Sequence, residues 1–245
     1  MKKYFFLLIT IISFSSCNIF HIDECISDCG SFTSDTVEVQ NFSSLIVNDI
    51  FDIELIQDSL SFVLVEGYKK IIEKVDFSLN SDTLSVKNNF KCSFLKPEKK
   101  HIKLYLHIKN LNLIILNKPS KIRSFNNISG NSLQLILLNK FNDIELNVNY
   151  NSLNVGNENT GGGNTVLKGK CNYLFLDNRG MCSTDASKLE TNFVVINNHS
   201  VADCHINSVK KINCKIYGLG NVYYSGNPDS INVKQNSQGK LIKVN

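Results

Sequence analysis

Four residues in the last third of this 245-residue chain, Asp185, Asp203, His205 and Tyr223, have types and spacing that could do chemistry. They stand in three short segments, MCSTDAS, VADCHIN and NVYYSG, that follow one another at intervals of about twenty residues. Sliding VADCHIN onto MCSTDAS by one interval sets Asp203 over Ser183 and His205 over Asp185; one interval later Tyr223 falls over Asp203. Strand alternation turns Ala202, Cys204 and Ile206 inward, so Asp203 and His205 share the outer face. Carboxylates beside an imidazole and a phenol could hold a cation or a sugar, or supply the acid and base of glycoside cleavage. A polar, solvent-facing strand with a favourable Asp–His contact between neighbours would show the same residues. No catalytic residue and no cofactor is assigned, because the chain lacks GxSxG, HExxH, P-loop and dinucleotide fingerprints. Gly161-Gly162-Gly163 has no following Lys-Ser/Thr and reads as a flexible connection. His101, His107 and His199 lack ligand spacing, and none of the eight cysteines forms a CxxC pair, so no metal site is expected.

The elements that must carry these residues follow from a repeat. Apolar blocks begin at Leu111 (LNLIIL), Leu133 (LQLILL), Leu153 (LNV), Tyr173 (YLFLDN), Phe193 (FVVINN), Ile212 (INCKIYG) and Ile231 (INV). A second set begins at Asp143, Asn164, Cys182, Val201 and Asn221, again about twenty residues apart. Each period therefore holds two short strands separated by Asn, Gly, Asp or Ser. A leucine-rich repeat would need a fixed Leu/Asn frame and often a helical turn, and no 3.6-residue pattern lies between these strands. The expected fold is all-β: a single-stranded right-handed parallel β-helix with coils of about 20 residues, preceded by a less regular β-rich part. Roughly six coils from Leu111 to Val233 would span about 30 Å.

Composition agrees. Only 3 Pro, 13 Gly and a 42% apolar fraction exclude a disordered tail, and asparagine supplies about one residue in seven. Asparagine tolerates left-handed corners and stacks in side-chain ladders, and Asn178 and Asn198 fall at equivalent strand ends. Ahead of the repeat, LIV at 45–47, IELI at 53–56, FVLV at 62–65, LSV at 84–86 and IKLYLHI at 102–108 read as strands, with a turn at Ser81-Asp82. Residues 68–75 read as one short amphipathic helix, and 90–100 as an exposed basic loop. Leu146 and Val195 are placed inward.

The N-terminus is an address. Lys2 and Lys3 precede an apolar run at 4–14, too short to span a bilayer comfortably, with Ser15 and Ser16 before Cys17. Phe14-Ser15-Ser16-Cys17 resembles the lipobox of bacterial lipoproteins, in which the thiol is lipidated and the chain is cut before it. The resemblance implies a signal peptide at 1–16, a lipid on Cys17 and a tether at 17–39. Several acyl chains suffice for stable anchoring. Loss of Lys2 and Lys3 brings the formal charge from +4 to +2, too small to argue for nucleic acid. Cys25 and Cys29 could be bridged in an oxidising compartment, whereas Cys182 and Cys204 read as buried thiols.

Residues 40–245 resemble the auto-transporter adhesin, head GIN domain family. The resemblance lies in Phe42-x-x-Leu45-x-Val47, Phe51-Asp52-Ile53-Glu54-Leu55-Ile56-Gln57, Val63-x-Val65-Glu66-Gly67 and Asp82-x-Leu84-x-Val86. It closes on residues 218–228, GLGNVYYSGNP, and on Ser237-Gln238-Gly239, where the family usually has Gly-Ser-Gly at both glycine positions. The family implies a β-helix on the bacterial cell envelope, often lipid-anchored, and transfers no catalytic residues. The expected function is non-enzymatic display at the outer membrane for adhesion, glycan binding or envelope contacts. The alternatives are an envelope polysaccharide-degrading enzyme using Asp185, Asp203 and His205, and a structural docking partner of another envelope protein.

Overall fold

The computed structural model describes residues 29–91, 101–139, 141–157 and 162–244. Cys17, Cys25, Cys92 and most of the basic loop lie outside them. The chain opens with β1 (Phe32–Glu38), β2 (Ser44–Val47), β3 (Asp52–Gln57), β4 (Phe62–Tyr68), a single helical turn α1 (Lys69–Ile72), β5 (Val75–Asn80) and β6 (Thr83–Asn88). It continues through β7 (Lys103–Ile108), β8 (Leu113–Leu116), β9 (Lys121–Ser124), β10 (Ile128–Leu137), β11 (Asn142–Asn157) and β12 (Gly162–Ser200). It ends with β13 (Cys204–Ile216), β14 (Val222–Ser225), β15 (Ser230–Gln235) and β16 (Leu241–Lys243).

These strands wind a β-solenoid of about 6 turns with ~21 residues per turn. Each turn contributes one strand to each of two parallel faces. One face runs β7, β3, β9 and the first part of β11, and the other runs β6, β2, β8, β10 and the second part of β11. β11, β12 and β13 bend through a corner between the faces without interruption, and β12 spans nearly two turns in this way.

Alternation explains why the sequence takes this form. In β7 and β3 every second side chain is buried, and the buried positions stack coil on coil. One such column reads Leu104, Ile53, Ile122, Ile144 and Thr165. Another, on the opposite face, reads Val86, Val47, Leu116, Leu137 and Asn157. The core is thus a set of ladders of Leu, Ile and Val; each fully buried side chain contributes about 1.5–3 kcal/mol.

The irregular first part has a topological cause. The β2–β3 turn lies between the β6–β7 turn and the β8–β9 turn, so the chain's first coil is not first in space. Antiparallel β4 and β1 extend one face and antiparallel β5 the other, while Cys29, Ile71 and Ile72 close that end of the core.

Several expectations change. Phe32–Glu38, placed in the tether, is a strand paired with β4 along its whole length. Cys29 is a buried thiol in the core. Gly162 and Gly163 begin β12 and are not a flexible connection. Val195 faces outward and half-buried; Val194 and Ile196 fill the core. Among the described residues the non-glycine positions with positive φ are Ser81 and Phe141, and neither is asparagine. The exposed asparagines form a side-chain ladder instead, and buried ones bond to other groups. Asn157, Asn178 and Asn198 lie inside, where the Asn198 amide donates to the Gly220 carbonyl (2.9 Å) and Thr184 Oγ1 donates to Asn178 Oδ1 (2.9 Å). Outside, Asn192 Nδ2 donates to Asn172 Oδ1 (2.9 Å) and Asn172 Nδ2 to Asn151 Oδ1 (3.1 Å).

Candidate functional site

Asp185, His205 and Tyr223 come together on the first face, one per coil. Asp185 pairs with His205, as the repeat implied, but His205 pairs with Tyr223. The expected stacking of Tyr223 over Asp203 is therefore wrong by two residues. Cys204 lies over Thr184, twenty positions away, but under Val222, only eighteen away. The two residues are lost at the opposite corner: Ala186 pairs with Ile206 but Phe193 with Lys211, so residues 187–192 face only residues 207–210. Asp203 aligns with Asn221 and accepts its backbone N–H at 2.7 Å.

The chemistry of this group is internally satisfied. Asp185 Oδ1 accepts from both the hydroxyl and the amide of Ser187, at 2.6 and 3.0 Å. Burial works to raise the Asp185 carboxyl, but those two bonds, with His205 and Lys188 nearby, outweigh it and hold it below the usual carboxylate range. A depressed carboxyl is a poor general acid near neutral pH. The His205 and Tyr223 rings stack at 4.9 Å with 14° between their planes, close to the coil spacing. One face of each ring is spent on the other. At the adjoining corner His199 and Tyr217 stack in the same manner, at 4.4 Å. Among the described residues no three His, Cys, Asp or Glu side chains gather to hold a metal ion. The four residues form a cross-coil ladder with the geometry of the plain solvent-facing strand.

Farther along the same face the ladder becomes ionic. Lys103 meets Glu54 at 2.9 Å, Arg123 bridges Asp143 (3.2 Å) and Glu145 (3.4 Å), and Lys168 meets Glu145 at 2.5 Å. Lys168 first and Arg123 second hold the Glu145 carboxyl below its ordinary value. Being half exposed, these pairs order the surface more than they stabilise the fold.

Two concave regions were not legible in the repeat. One, of about 740 Å³, lies at the corner where Ile50, Pro119 and Phe141 meet Asp52, Lys121 and Asp143; its rim includes Lys91 and His101. That corner continues as an exposed apolar ridge of Phe141, Met181, Val201 and Leu219. The other, of about 510 Å³, follows the opposite corner between Ser129 and Asn192. The signal that could have located it was the column Asn151, Asn172, Asn192 at one-coil spacing.

The buried cysteines are inert by the same reasoning. Burial pushes the Cys171 thiol up to about 11 and Cys214 up to about 12, and it raises Cys204 further, with Cys214 beside it. Thiolate is then scarce at neutral pH. Native protein treated with iodoacetamide is expected to leave Cys204 and Cys214 unmodified by mass spectrometry, with modification appearing only in denaturant. Alkylation of Cys204 in the folded state would contradict this packing.

Comparison places the geometry in a family. No helix among the described residues is long and apolar enough to cross a membrane. No curated protein sequence matches the chain. Among solved structures, it is similar to a putative adhesin from Bacteroides fragilis (TM-score 0.80, 19% identity), covering 87% of this chain and 97% of that one. A putative adhesin from Parabacteroides merdae gives TM-score 0.64 at 14% identity, covering 88% and 97%. A putative lipid binding protein from Parabacteroides distasonis gives 0.59 at 13%, covering 88% and 98%. At these identities the likeness shows the shared fold. Residues 41–228 match the family model described as "Putative auto-transporter adhesin, head GIN domain", and the chain belongs to that family.

Proposed function

We propose that this chain is a lipid-anchored protein of the bacterial cell envelope, held at the outer membrane through Cys17, that works by display and not by catalysis. The observation that carries this reading is how the outer polar groups are used. Arg123 with Asp143 and Glu145, His205 with Tyr223, and Asn151 with Asn172 and Asn192 bond along the solenoid axis. Such ladders fix a rigid, periodic polar surface suited to adhesion, to glycans or to other envelope components. Asp185 and Asp203 likewise each give one carboxylate oxygen to a neighbouring donor, Ser187 for the first and the Asn221 backbone for the second. The adhesin description of the family and the lipobox at 14–17 support the same reading.

Two experiments test it. Cells fed radioactive palmitate are expected to label the wild-type protein and not Cys17→Ser; an unlabelled wild type overturns the anchor. The delipidated Cys17→Ser protein is expected to leave envelope polysaccharides intact. Cleavage that disappears in Asp203→Ala would establish the enzyme instead.

A further inference from the structure

We infer that the corner groove between Ser129 and Asn192 is a binding site for a neutral oligosaccharide lying parallel to the solenoid axis. This inference rests on the display reading and gives it a ligand class and a location.

The groove is built from three adjacent columns. Its floor is Gly130, Tyr150 and Cys171, paired in register from coil to coil. Tyr150 and Cys171 are buried, and both turn their polar atoms away: the phenol donates to the Leu111 carbonyl at 2.8 Å and the thiol to the Tyr173 carbonyl at 3.0 Å. Gly130 has no side chain because a Cβ there would strike the Tyr150 ring, and its absence leaves the floor low. One wall is Ser129, Asn149 and Lys170, with Glu190 ion-paired to Lys170 at 3.7 Å. The other wall is the ladder Asn151, Asn172, Asn192.

The ladder determines what can bind. A carboxamide has two N–H donors and an oxygen with two lone pairs. Asn172 gives one N–H to Asn151 and accepts one from Asn192, so one donor and one acceptor remain on its outer edge. A side-by-side donor and acceptor is the complement of two neighbouring hydroxyls on a sugar ring. The array repeats at the ~4.8 Å strand spacing, comparable with the rise of one residue in an extended glycan, and the four coils from Ser129 to Glu190 offer about 14 Å.

Other ligands fit less well. Lys170 and Glu190 balance one another, so the groove selects neither anions nor cations. The bordering strands are paired on both sides, as β11 is between β10 and β12, so no free edge awaits a peptide. The floor has too little exposed carbon to seat an apolar side chain.

The test uses the full chain as Cys17→Ser against a panel of neutral glucose, mannose, xylose and galactose oligomers, from disaccharide to hexasaccharide. Hits are followed by calorimetry. Binding is expected to weaken about tenfold in Asn172→Ala, which loses two outward hydrogen bonds. Glu190→Ala on the opposite wall is expected to weaken it with unchanged melting, since its exposed ion pair contributes little to stability. Asn213→Ala, on the second face outside the groove, is expected to bind as wild type. Binding lost in Asn213→Ala but retained in Asn172→Ala and Glu190→Ala overturns the groove and leaves display standing. No binding to any oligomer of the panel also overturns the groove, while the palmitate experiment judges the anchor separately. Cleavage of a bound oligomer overturns display itself.

Discussion

Leu146→Asp is expected to unfold several coils, while Val195→Asp is expected to melt close to wild type. Leu146 is fully buried and stacks on Leu167 of the next coil. A carboxylate there has no partner, and leaving a charge unpaired in the core costs several kcal/mol, a large fraction of the 5–15 kcal/mol that stabilises a typical domain. Neighbour-to-neighbour stacking spreads the damage, because each coil contributes a surface on which the next one rests. Val195 also belongs to an apolar block, FVVINN, but lies on its outer side over Asn213. An aspartate there faces water and should shift stability by about 0.5 kcal/mol or less. Thermal and urea melts followed by circular dichroism read both variants. If Val195→Asp melted as low as Leu146→Asp, the inward and outward assignments of that strand would be reversed.

The second large effect is expected at the corner Gly218-Leu219-Gly220. A Cβ on Gly218 would strike the Ser200 carbonyl, and one on Gly220 the Ala202 carbonyl. Both obstacles are backbone of the preceding coil, which cannot rotate away as a side chain could. The same corner holds hydrogen bonds from Gly218 N to the Asn198 carbonyl (2.9 Å) and from Gly220 N to the Ser200 carbonyl (3.0 Å). Gly220→Ala is therefore expected to cost about 1–3 kcal/mol, the usual range for overpacking, and the double alanine variant more. For a chain of this size each kcal/mol lowers the melting temperature by about 2–4 °C. Gly156→Ala is the control: its nearest neighbour is the Leu135 carbonyl at 4.0 Å and its φ is ordinary. It is expected to be neutral or slightly stabilising, through a less flexible unfolded chain. Equal losses at Gly156 and Gly220 would refute the tight corner.

The two-strand period was readable because stacking forces apolar residues to recur once per coil. What misled lay in the corners. The coil from Cys204 to Val222 is two residues shorter than the coil before it, so a uniform twenty-residue slide set Tyr223 over Asp203 instead of His205. Asparagine abundance identified the class of fold, but positive-φ corners were the wrong mechanism: Asn172 and Asn198 act through their amides. In FVVINN four consecutive apolar residues leave the phase open, so alternation alone does not tell Val195 from Val194. The groove was the least legible feature. Its floor depends on Gly130, Tyr150 and Cys171, which share no residue type and reveal their alignment only in the wound chain.

The out-of-order coil near the start also constrains how the protein is made. β2 and β3 are synthesised early, yet each needs neighbours on both sides that come much later: β6 and β8 for one, β7 and β9 for the other. Until Ser124 has been translated, Leu45, Val47, Ile53 and Leu55 lack half of the surface that buries them. A solenoid could in principle grow from its first coil as the chain emerges, but this one cannot, because its founding turn must be clasped from both sides. The long loops that must close before that turn is secured slow its assembly and lengthen the time that aggregation-prone strands stay open. This part of the core therefore closes only where the whole first half of the chain is present at once.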